Sequence, residues 1–103
     1  MTTRDNPTVL NGIVSKVLEL GLSEFEVEYK DQQEQVFAFN GPIGMGIAAY
    51  RSGSKEAEEL RSLLYSLRRK RHKITIDDIN YRLRVEVFDS FGEDAYRVTI
   101  QKS

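Results

Sequence analysis

The tightest constraint on this fold is strict two-residue alternation near the C-terminal end of the chain. Tyr81, Leu83, Val85 and Val87 alternate with Arg82, Arg84 and Glu86, and Tyr96, Val98 and Ile100 alternate with Arg97, Thr99 and Gln101. Side chains of a strand point to opposite faces in turn, so each stretch is a strand with one buried and one polar face. With Asp89 to Asp94 as the connection, the two form a long antiparallel hairpin. The same period occurs earlier, where Phe25, Val27 and Tyr29 alternate with Glu24, Glu26, Glu28 and Lys30. A turn through Asp31-Gln32-Gln33 leads to Phe37 and Phe39, expected as a second apolar row on the same sheet face. Met45 to Tyr50 reads as a third strand weakened by glycine and alanine, and Ile74 with Ile76 as a short strand before a turn at Asp77-Asp78-Ile79-Asn80.

Two stretches follow the helical period instead. Val9, Leu10, Ile13, Val14, Val17 and Leu18 recur at steps of three and four, with Asn6 and Pro7 suited to the start and Gly21 to a left-handed stop. Ala57, Leu60, Leu63, Leu64 and Leu67 form the stripe of a second helix, opened by Ser54 and running to about Lys70. A helix stripe and a half-apolar sheet cover each other. The fold class is therefore α+β: an antiparallel or mixed sheet of five to six strands with two helices packed on one face. Residues 1–5 read as a flexible leader and residues 6–103 as a single compact domain.

Composition narrows the chemistry. The 103 residues, 40% hydrophobic and 30% charged, can bury a core without a staple, and no cysteine is present to supply a disulfide, a thiolate or a soft metal ligand. There is no apolar run of about eighteen residues, so the expectation is a cytoplasmic protein with no membrane partner. The net charge of -1 conceals sorting of sign: Glu19, Glu24, Glu26, Glu28, Asp31 and Glu34 make the first half acidic, whereas Arg61, the 68–73 run, Arg82 and Arg84 make the middle of the second half basic. Such a dipolar surface orients encounters with a protein partner or with a second copy.

The basic run is Arg68-Arg69-Lys70-Arg71-His72-Lys73. Steps of four, three and four place Arg61, Tyr65, Arg68 and His72 on one helical stripe beside the leucines, with Arg69, Lys70, Arg71 and Lys73 around its end. Guanidiniums bind carboxylates or phosphates, and the tyrosine ring offers a stacking surface. A purely structural role is the competing explanation: Arg61 is three residues from Glu58, and cations complement the helix C-terminus.

Other motifs are weaker. Residues Gly41 to Gly46 hold three glycines but neither the lysine and hydroxyl of a P-loop nor the Gly-x-Gly-x-x-Gly order, so a turn is preferred to a ligand loop. Asp77, Asp78, Asp89, Glu93 and Asp94 lack calcium-loop spacing, and the lone histidine, His72, excludes a histidine-rich zinc site within one chain. Ser62 and Ser66 precede His72 but read as helix-surface residues. The expectation is a non-enzymatic protein-interaction or regulatory module, without cofactor, metal or catalytic residues. It docks through Arg61, Tyr65, Arg68, Arg69, Lys70, Arg71, His72 and Lys73 or through a sheet edge, including as a homodimer. The alternative is nucleic-acid binding by the same basic strip.

Overall fold

The computed structural model describes residues 8–69 and 72–103. The expected leader at residues 1–5, the start at Asn6 and Pro7, and both Lys70 and Arg71 lie outside the described residues.

Thr8 caps the first helix, α1 (Val9–Glu19), its hydroxyl accepting from the Asn11 amide at 3.0 Å. The helix stops at Leu20, and Gly21 follows at φ +76°, a conformation that glycine alone enters without strain. The Leu22 amide then bonds the Val17 carbonyl at 3.1 Å and the Gly21 amide bonds that of Leu18 at 2.9 Å, closing a Schellman motif. Three strands follow as a meander: β1 (Glu24–Lys30), β2 (Gln33–Asn40) and β3 (Ile43–Arg51). Helix α2 (Lys55–Leu67) is capped by Ser54, whose hydroxyl accepts from the Ala57 amide at 3.1 Å. A second meander closes the chain: β4 (His72–Ile76), β5 (Ile79–Ser90) and β6 (Glu93–Lys102).

The six strands form one antiparallel sheet in the order β3-β2-β1-β6-β5-β4, so the two meanders join through β1 and β6. Every hairpin turns on two residues. At Asp31-Gln32, Asp77-Asp78 and Phe91-Gly92 both central residues have positive φ, the type I′ pattern whose twist suits paired strands. The connection of β5 to β6 is thus shorter than the expected Asp89 to Asp94, since Asp89 pairs with Asp94 and Ser90 with Glu93 inside the ladder.

A similar shortening corrects the first hairpin. The turn at Asp31-Gln32 leaves Gln33 in β2, and the register sets Phe25 opposite Ala38 and Val27 opposite Val36. Side-chain parity therefore shifts by one residue, and Phe37 and Phe39 lie on the sheet face opposite Phe25 and Val27. The core uses Val36 and Ala38, both fully buried.

Both helices pack on one face of the sheet. Leu10, Ile13, Val14 and Val17 of α1 and Leu60, Leu64 and Leu67 of α2 meet Phe25, Val27, Val36, Leu83, Val85, Tyr96, Val98 and Ile100. On the other face, the Arg97 guanidinium donates twice to one Glu26 carboxylate oxygen, at 2.8 and 2.6 Å, and lies over the Phe88 ring. That pairing raises the Arg97 pKa, through the hydrogen bond first and the charge of Glu26 second. The Ser90 hydroxyl donates to Glu28 at 3.0 Å, which ties the end of the last hairpin to β1. Among the described residues no helix is long and apolar enough to cross a membrane.

Candidate functional site: a guanidinium-lined hollow at the β5 edge

The end of α2 sets the geometry. Leu67 is the last helical residue and Arg68, still in the right-handed helical region, caps it. The expected helix to about Lys70 is therefore shorter, because the chain must leave the helix layer to enter β4 at His72. His72 then pairs with Leu83 on the sheet rather than continuing the helical stripe.

The members of the expected strip are divided by this change. Arg61 points inward: its guanidinium donates to the Glu34 carboxylate at 3.0 Å and stands 6.0 Å from the centre of the Tyr96 ring. Glu34 is on the helix-facing side of β2 and only 2% exposed, so Arg61 balances a buried charge. It pairs with Glu34 and not with Glu58, because the leucine stripe turns Arg61 toward the sheet. Tyr96 is held in the neutral phenol form to higher pH than usual, by burial first, with the Arg61 charge opposing that shift. His72 and Lys73 line a separate hollow with Thr8, Asn11 and Leu63.

Tyr65, Arg68 and Arg69 remain together. The Tyr65 ring is 55% exposed, and the Arg68 guanidinium lies over it at 4.0 Å from its centre. At that distance the cation meets the electron-rich ring face, an attraction of about 0.5–1 kcal/mol at an exposed site that favours this arrangement of the two side chains. Arg68 and Arg69 then form a wall shared by two adjoining hollows. One, of about 530 Å³, is completed by Arg82, Leu83, Arg84, Val85, Glu86 and Gln101. The other, of about 320 Å³, is completed by Tyr65, Val87 and Asp94.

Arg82 and Arg84 belong to the polar row of the last hairpin, opposite Gln101 and Thr99. The structure joins them to Arg68 and Arg69, which sequence spacing does not reveal because the pairs come from different elements. Five consecutive residues, 82 to 86, line the larger hollow. A sheet face displays only alternate residues, so the hollow opens on a strand edge. Among the described residues, β4 ends where His72 meets Leu83, and β5 continues to Ser90 without a ladder partner on that side.

The electrostatics are mixed but biased. Four arginines surround the hollows, whereas Glu86 and Asp94 contribute two carboxylates, with Arg84 and Glu86 loosely paired at 3.6 Å. The acidic row Glu24, Glu26 and Glu28 is on the sheet face away from the helices, and Arg97 offsets its central member. Ser66 donates its hydroxyl to the Leu63 carbonyl at 2.8 Å within its own helix. Among the described residues no three acidic or imidazole groups gather as a metal site. No protein-family model matches the sequence, and no curated protein matches it.

Proposed function

We propose that this chain is a non-enzymatic, cytoplasmic protein-interaction module that docks an acidic protein segment between the end of α2 and β5. The observation that carries this reading is the convergence of Arg68, Arg69, Arg82 and Arg84 on one hollow of about 530 Å³. Guanidiniums present planar, fixed donors that pair well with carboxylates. Arg68 is already held by Tyr65, so less side-chain freedom is lost when it takes a ligand.

Nucleic acid fits the same place less well. Glu86 and Asp94 sit within the hollows and oppose a continuous phosphate chain, and one face of Tyr65 is taken by Arg68. A short acidic peptide can place its carboxylates beside the arginines and avoid the two acids.

Binding of polyglutamate, single-stranded RNA and duplex DNA, measured by fluorescence anisotropy over a salt series, tests the reading. The expected result is saturable polyglutamate binding that falls about tenfold, near 1.4 kcal/mol, in Arg68→Ala and in Arg84→Ala. Tighter RNA binding that depends on Tyr65 would instead assign the site to nucleic acid. Equal weak attraction of all three polymers, unaffected by either substitution, would remove the site altogether.

A further inference from the structure

The free edge of β5 indicates how a partner would be held, and this step rests on the acidic-partner reading above. Which backbone groups face outward follows from the two-residue turn at Phe91-Gly92. It makes Ser90 and Glu93 a hydrogen-bonded pair, and such pairs recur at every second position of an antiparallel ladder. Phe88, Glu86, Arg84 and Arg82 therefore direct their amides and carbonyls toward β6. Leu83, Val85, Val87 and Asp89 direct theirs to the other side. The β4 hairpin agrees, because the turn at Asp77-Asp78 makes His72 with Leu83 a hydrogen-bonded pair in the same alternation. Beyond that pair, Val87 and Asp89 offer main-chain donors and acceptors with no described partner. Arg68, level with this edge, is in a helical conformation and does not extend β4.

Edge strands with open ladder groups accept another strand. Here the two sides of the edge differ. On the outer sheet face Arg84 stands at its start, followed by Glu86 and Phe88, while Val87 (44% exposed) and Tyr65 (55% exposed) flank it on the helix face. A strand laid along the edge would meet the Arg84 guanidinium at one end of its outer row and Glu86 and Phe88 after it, with apolar surface under the other row.

We infer that the module binds its partner by strand addition to β5, taking an extended, largely apolar segment whose acidic residues are confined to the end beside Arg84. The acidic end lies across from Arg84 and beside Arg68 and Arg69, where opposite charges attract, because the position across from Arg82 is held by Lys73 of β4. The apolar positions cover Val87 and the edge of Tyr65.

The test uses the intact chain and a synthetic peptide of about ten residues with two glutamates at one end and alternating threonine and valine over the rest. Two analogues carry N-methyl groups on alternate amides, one set on each edge of the extended peptide. In the parent complex, amide exchange at Val87 and Asp89 is expected to slow at least tenfold, while Glu86 and Phe88, already bonded to β6, change little. One analogue loses at least tenfold in affinity and the other keeps it. If both analogues bind like the parent and exchange at Val87 and Asp89 is unchanged at saturation, strand addition is wrong, although charge-directed docking stands. If neither the parent nor polyglutamate binds, the proposed function fails and this inference with it.

Discussion

Replacing Arg61 by methionine isolates the energetic role of the pair it forms with Glu34. The Glu34 carboxylate is 2% exposed, and its described charged partner is the Arg61 guanidinium at 3.0 Å. Methionine keeps the aliphatic length of the side chain and removes the charge, so Glu34 is left buried without it. Breaking a fully buried pair costs about 3–5 kcal/mol. Arg61 is itself 35% exposed, so water reaches part of the vacated space and screens the carboxylate, and the expected loss is about 2 kcal/mol. For a chain of this size that corresponds to a fall in Tm of roughly 10 °C. The assay is thermal and urea unfolding of wild type, Arg61→Met, Glu34→Gln and the double variant, arranged as a double-mutant cycle. The double variant should recover at least half of the loss, because it removes the buried charge along with its partner. A Tm for Arg61→Met within about 2 °C of wild type would show that Glu34 does not depend on Arg61, and the burial argument would be wrong.

Three further outcomes follow from local geometry. A Cβ at Gly44 would come 2.8 Å from the Phe39 ring, whereas one at Gly46 would stay 3.8 Å from Phe37; Gly44→Ala should therefore destabilise by about 1 kcal/mol, and Gly46→Ala should be neutral or slightly stabilising in urea unfolding. Phe91 is fully exposed at φ +53° in a type I′ turn that favours asparagine, so Phe91→Asn should stabilise by about 0.5–1 kcal/mol in the same assay. The phenols of Tyr50 and Tyr96 have raised pKa values, in both cases through burial first. The native state therefore keeps these protons when the unfolded chain has released them, so the contribution of the two phenols to stability should be constant below pH ~10 and fall above it; circular dichroism from about pH 8 to 11, with tyrosinate absorbance, checks the sign.

Much of this fold is written in local pattern. Alternation at residues 81–87 and 96–100, and the leucine stripe of α2, specify element type because they match the strand and helix periods without competition. Ser54 and Gly21 mark helix ends through chemistry that needs only neighbouring residues. The face used by Phe37 and Phe39 was not legible in this way. Asp31-Gln32-Gln33 reads equally well as a turn of two or three residues, and that single residue decides which half of β2 enters the core.

The candidate site divides along the same line. The sequence by itself determined that cations cluster after α2 and that Arg82 and Arg84 share a strand face, since both facts depend on spacing within one element. Only the tertiary structure decided that Arg61 turns inward to Glu34, that His72 leaves the helix for β4, and that Arg68 and Arg69 meet Arg82 and Arg84 at an open edge. Those outcomes depend on where strands end and how they pair, and pairing is set by contacts between residues far apart in the chain. Side-chain periodicity carries no information about them.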